Sequence, residues 1–105
     1  MKYKVIVSPE AENDLSKAFS WYEEKLQGLG YEFLLQIDAG INLLSKNPKL
    51  HPIEYRETRK HIIQRFPYKI IYMSKEDTII IIAVIHSRRR PGLSKKRVDS
   101  INKQN

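Results

Sequence analysis

Residues 78–90 read Thr78-Ile79-Ile80-Ile81-Ile82-Ala83-Val84-Ile85-His86-Ser87-Arg88-Arg89-Arg90, an unbroken apolar run that ends in three arginines. The seven apolar residues are far short of the roughly 20 needed to span a bilayer, and they lack the polar alternation of a half-exposed strand. The run reads as a strand covered on both faces and lying inside a sheet. Upstream, Tyr68 to Met73 reads as another strand, and the polar link Ser74-Lys75-Glu76-Asp77 is short enough to make the two antiparallel. Before the turn at Pro67, Lys60 to Phe66 reads as a strand of the same meander, and Glu54 to Glu57 leaves room for a short edge strand.

Moving outward to the N-terminal half, Tyr3 to Val7 forms a short first strand, with Tyr3, Val5 and Val7 alternating against Lys2 and Lys4. Ser8-Pro9-Glu10 starts a helix. Ser8 caps it, Pro9 takes the first helical position, and Glu10, Glu12 and Asp14 face the positive end of the dipole. Ala11, Leu15, Ala18, Tyr22 and Leu26 then recur on one face, widened by Phe19, until Gly28 ends the helix. Trp21, beside Tyr22, reads as packing. A second helix runs from Leu29 to Lys46, with Leu34, Ile37, Ile41 and Leu44 as its stripe, Phe33 and Leu43 beside it, and Asn47-Pro48 as its stop. So short a link folds the two helices into an antiparallel hairpin. Gly40, mid-helix, costs about 1 kcal/mol relative to Ala, which a close approach to the first helix would explain.

The expected architecture is a single α+β domain over residues 1–105, two layers in the order β-α-α-β-β-β. One antiparallel sheet, with the first strand beside the last, carries the helical hairpin on one face. The other face presents part of Ile79–Ile85 with residues such as Tyr68 or Ile71. It needs cover from a partner chain or from Leu93–Ile101, a short helix in which Val98 and Ile101 lie three apart, within a basic segment 93–105.

Charge is unevenly placed. Residues 1–55 carry six Lys/Arg and eight Asp/Glu, whereas residues 56–105 carry thirteen and four, for a net +7. Such a concentration points to an acidic partner, and nucleic acid and an acidic protein segment remain equally open on charge alone. The absence of cysteine excludes disulfides, thiolate zinc sites and cysteine nucleophiles. Together with Met1-Lys2-Tyr3-Lys4, which leads into a strand rather than a secretory signal, it suggests a cytoplasmic protein without membrane association. No phosphate-binding glycine loop or nucleophile elbow is present.

The residues that can carry chemistry cluster after the apolar run. Arg88, Arg89, Arg90, Lys95, Lys96 and Arg97 place six cations within ten residues, and arginine's planar fork suits phosphate and carboxylate. His86 supplies the imidazole of this cluster, a side-chain type able to act as general acid or base. Strict alternation places it on the face of Ile80, Ile82 and Val84. Metal-free RNA cleavage needs a base, an acid and cations around the phosphate. His86 with Lys60, Arg65, Lys69, Arg88 and Arg90 forms a permissive list for it. His51 and His61 lack metal-ligand spacing in the sequence, and neither a metal nor a cofactor is expected.

Taken in order, Ala11 to Leu15, Trp21-Tyr22-Glu23 followed by Gly28-Leu29-Gly30, Asn47-Pro48, Arg65-Phe66-Pro67-Tyr68-Lys69-Ile70-Ile71-Tyr72, and Ala83-Val84-Ile85-His86-Ser87-Arg88-Arg89 with Arg97 resemble the RelE/ParE superfamily of toxins from type II toxin–antitoxin modules, the plasmid stabilisation proteins. The resemblance spans residues 3–97. It implies the fold already read, with the first strand beside the last, and a hetero-oligomer with a cognate antitoxin that wraps apolar and basic surfaces. It also implies one of two activities. RelE-like members cleave mRNA on the ribosome with basic residues of the middle and last strands, which by position fall near Lys60, Lys69 and Arg88, with His86 as acid or base. ParE-like members poison DNA gyrase without catalysis. RelE-like enzymes tend to have a tyrosine shortly after the last strand, and residues 87–105 contain none. The resemblance therefore leans to the gyrase-directed branch. Arg65, Arg88, Arg89, Arg90, Lys95, Lys96 and Arg97 then become the expected surface for target or antitoxin. A plain nucleic-acid-binding module is the reading from a different class.

Overall fold

The computed structural model describes residues 2–88 and 91–103, in the order β1 (Lys4–Val7), α1 (Pro9–Lys25), α2 (Leu29–Lys46), β2 (Arg59–Ile62), β3 (Tyr68–Lys75), β4 (Thr78–His86) and α3 (Pro91–Lys103). The four strands form one sheet in the order β1-β4-β3-β2. As its apolar run requires, β4 is interior, with Ile79 and Ile81 to Ile85 all buried. The first strand does lie beside the last. Its pairing is parallel, however, from Lys4↔Thr78 to Val7↔Ile81, so the sheet is mixed rather than wholly antiparallel. Tight turns dictate antiparallel pairing within β2-β3-β4. No such turn joins β1 to β4, and the intervening helices leave its direction free.

The helix signals act as local chemistry predicts. Ser8 Oγ accepts a hydrogen bond from the Ala11 amide (3.1 Å), Pro9 opens α1, and Gly28 adopts φ +90° between the helices. Ala11, Ala18 and Tyr22 of α1 meet Phe33, Ile37 and Leu44 of α2 over the sheet, joined by Phe66 and by Ile70, Tyr72, Ile79, Ile81 and Val84. Tyr22, Phe33 and Phe66 pack with ring centroids 4.9–5.5 Å apart. The close approach within the hairpin belongs to Gly30, not Gly40. A Cβ at Gly30 would sit 2.7 Å from the Phe19 carbonyl oxygen, whereas one at Gly40 would meet the His61 ring and Ile70 of the sheet, 3.2–3.3 Å away.

The middle of the chain is less regular than expected. β2 spans only Arg59–Ile62, although the Ile63 amide still donates to the Tyr68 carbonyl (3.0 Å), and Ile63 and Phe66 are buried in the hairpin-side core. Only a bridge, Tyr55↔Thr58, stands where an edge strand was expected.

A bulge in β4 changes which residues share a face. Ile71 pairs with Ala83 and Tyr72 with Ile81, leaving Ile82 without a partner across the ladder. Ile82 and Ala83 therefore both join the outer face, and His86 lies with Val84, Ile81 and Ile79 on the hairpin face, not with Ile80 and Ile82. Tyr68, which pairs with His86, also faces the hairpin rather than the outer side. The outer face is covered by α3. Val98 is 1% exposed and packs with Ile71, Ile82, Ala83 and Ile85. Among the described residues no helix is long and apolar enough to cross a membrane.

Candidate functional site

The sheet separates the sequence-predicted site residues into two groups. Lys60 and Lys69 come together on the outer face. They pair with Ile71 and Ile85 respectively, both members of the core beneath α3. With Lys95 of α3 they line a groove of about 230 Å³. Lys69 is buried, at 8% exposed. Lys60 Nζ lies 3.4 Å from Glu54 Oε1, and Lys95 Nζ sits 5.1 Å from the centre of the Tyr55 ring. Arg59, at the same groove, donates through Nη1 to the His51 carbonyl, while its Nε is buried without a hydrogen-bond partner in the described structure.

His86 stands on the other side, and Arg88 follows the strand end. His86 ends β4 on the hairpin face, its ring 5.5 Å from that of Tyr68. The Arg88 backbone amide donates to His86 Nδ1 (3.1 Å). That contact places the ring proton on Nε2 and occupies the nitrogen that would otherwise serve as a base. The Arg88 side chain is exposed. His86 and Lys69 lie on neighbouring strands but point to opposite faces, so they cannot converge on one phosphate.

Arg97, expected to face a partner, is engaged within the fold. Its Nη1 donates to Asp14 Oδ2 (2.7 Å) and to the Ile82 carbonyl (3.2 Å), while Asp14 Oδ2 also accepts from the Val84 amide (2.9 Å). Beyond Val7 the first strand leaves the sheet, and Ser8, Asp14 and Arg97 satisfy the β4 backbone groups exposed there. Arg65, with φ +70°, reaches Glu32 at 3.6 Å on an exposed surface, and Lys96 is exposed. Arg89 and Arg90 lie outside the described residues.

The structure adds features that linear spacing hid. His51 Nε2 and His61 Nδ1 are 2.8 Å apart, ten residues apart in the chain. Burial, and then the neighbouring His51, hold the His61 pKa below its usual value. Tyr55 Oη donates to Asp99 Oδ1 (2.8 Å), and Asp99 also meets Arg56 Nε at 2.9 Å, tying α3 to the loop before β2. A groove of about 600 Å³ opens between α1 and the rim of β3 and β4, where Trp21, Tyr68, Pro67, Val84 and His86 meet. Trp21, read as packing, is 54% exposed there, while its neighbour Tyr22 is buried as expected. The signal was present in the sequence as Lys17, Trp21 and Lys25, spaced by four along one side of α1.

The fold is similar to solved toxin structures. The chromosomal ParDE system from P. aeruginosa gives a TM-score of 0.72 at 16% identity, over 81% of this chain and 96% of that one. A mutant of the E. coli toxin RelE in the free state gives 0.69 at 15% identity, over 96% and 99%. The RelBE2 toxin–antitoxin complex from Mycobacterium tuberculosis gives 0.60 at 22% identity, over 82% and 92%. No curated protein matches the chain in sequence. Residues 5–91, most of the chain, match the family described as the ParE toxin of the type II toxin–antitoxin system parDE, and the chain belongs to that toxin family within the RelE/ParE superfamily.

Proposed function

We propose that this toxin is held inactive by a cognate antitoxin and, when free, arrests growth by poisoning DNA gyrase without a covalent step of its own. The observation that carries this reading is the division of the candidate catalytic set by the sheet. A ribonuclease site needs a proton acceptor, a proton donor and phosphate-binding cations around one scissile bond. Here His86 lies on the hairpin face with its Nδ1 engaged, while Lys60 and Lys69 lie under α3. The match to the ParE family supports the gyrase-directed reading, and the likeness to two toxin–antitoxin structures, ParDE and RelBE2, supports the antitoxin partner.

A supercoiling assay with purified gyrase tests it. Dose-dependent inhibition with accumulation of cleaved DNA is the expected result, and full supercoiling at excess toxin would sink it. The RelE-like alternative draws on the convergence of Lys60, Lys69 and Lys95 in one groove and on the likeness to the free E. coli toxin RelE. Primer extension on a message under translation, showing new ends at ribosomal A sites that vanish in Lys69→Met, would establish that alternative instead.

A further inference from the structure

The outer apolar face, for which the sequence offered a partner or the segment Leu93–Ile101 as cover, is closed by Val98 of α3. An open apolar surface lies elsewhere, in the groove beside α1. Trp21, Tyr68, Pro67 and Val84 give it apolar walls. An indole left 54% exposed on an apolar groove suits a contact surface rather than packing.

Charge at the mouth is one-sided. Lys17 lines the groove, and Lys25 Nζ lies 4.8 Å from the centre of the Trp21 ring. The acid at the groove, Asp14, is balanced by Arg97 at 2.7 Å and by the Val84 amide. We propose that this groove seats a large apolar side chain of a partner protein segment whose flanking carboxylates meet Lys17 and Lys25. Walls made of rings and aliphatic carbon favour such an anchor over a nucleic-acid backbone, which needs cations along its length rather than at the rim. The proposal rests on the reading of the chain as the neutralised member of a two-protein module, and the occupant is then a segment of the antitoxin.

Trp21 is the sole tryptophan of the chain, so its emission reports on the groove without background. The full chain is titrated with a short glutamate-rich helical peptide carrying two phenylalanines one turn apart. A saturating blue shift is expected. Affinity should fall at least tenfold when alanine replaces the phenylalanines, when lysine replaces the glutamates, or when Lys17→Glu reverses the rim. Binding that ignores the phenylalanines would reduce the groove to a charge patch and overturn the proposal, as would unchanged emission with every peptide.

Growth arrest by the parent, Lys17→Glu and Trp21→Ala proteins, each with and without the antitoxin, separates this proposal from the reading beneath it. Equal rescue from all three leaves the module intact and removes the antitoxin from the groove. Failure of any antitoxin to silence the parent sinks the module itself. A Trp21→Ala protein that keeps antitoxin binding but loses gyrase inhibition assigns the groove to the target and overturns the proposal.

Discussion

Asp14 holds three elements at one carboxylate: its own helix, the backbone of β4 and Arg97 of α3. Both partners of the ion pair are largely withdrawn from water, with side chains 27% and 11% exposed. Asp14→Ala leaves the guanidinium and the Val84 amide without their acceptor, and a loss of about 3 kcal/mol is expected. Urea unfolding checks it, as a lower midpoint with unchanged slope. Arg97→Met should cost less, because Asp14 keeps the Val84 amide. In the sequence, Arg97 is one cation among six, and its partner stands 83 residues away, so no local pattern could have distinguished it from a surface arginine. His61 gives a second residue-scale outcome. Its pKa in the fold is held below the unfolded value by burial and by His51. The unfolded chain therefore takes up its proton first, and this contribution is present above about pH 6.5 and lost as pH falls through the folded pKa. Melting temperature should drop as pH is lowered from 7.5 toward 5, and the drop should shrink in His61→Gln. An unchanged profile in that variant would rule out the imidazole pair as its source.

At the scale of elements, the two long helices were readable nearly to the residue, because caps, prolines and apolar stripes are local signals. β2 and the turns around it were not. Arg56, Glu57 and Arg65 adopt positive φ without any glycine to announce it, and Phe66 is drawn into the core from a turn. The bulge at Ile82 was equally hidden, since a run of apolar residues looks the same whichever face each one takes. That single inserted residue moved His86 to the hairpin face, and with it the chemistry that alternation had assigned. In α3, Val98 is the fully buried apolar side chain among the described residues. Val98→Ala should cost about 2 kcal/mol. Hydrogen exchange should locate the loss, with α3 amides losing protection before those of α1 and α2. Uniform loss across all three helices would contradict a separately opening α3.

At the scale of the whole molecule, the order of strands and the family were legible, because the arrangement of motifs survives local misreading. The target was not, because a positive surface serves a nucleic acid and an acidic protein equally well. The net charge of +7 predicts weak binding to an unrelated DNA duplex that decays steeply between roughly 50 and 200 mM salt. Anisotropy with a labelled duplex measures the slope. Tight binding that persists at the higher salt would favour the nucleic-acid-binding module over a gyrase-directed toxin.

The parallel union of β1 with β4 also sets a timetable for synthesis. Lys4 to Val7 leave the ribosome early, yet their partners Thr78 to Ile81 are made 74 residues later. At about 5–20 residues per second that is a wait of roughly 4 to 15 seconds. Until then the helical hairpin has no complete sheet to lie on. Translation that aborts before Thr78 yields chains with no route to the folded toxin, so its appearance in the cell is all-or-none with completion of the message through β4.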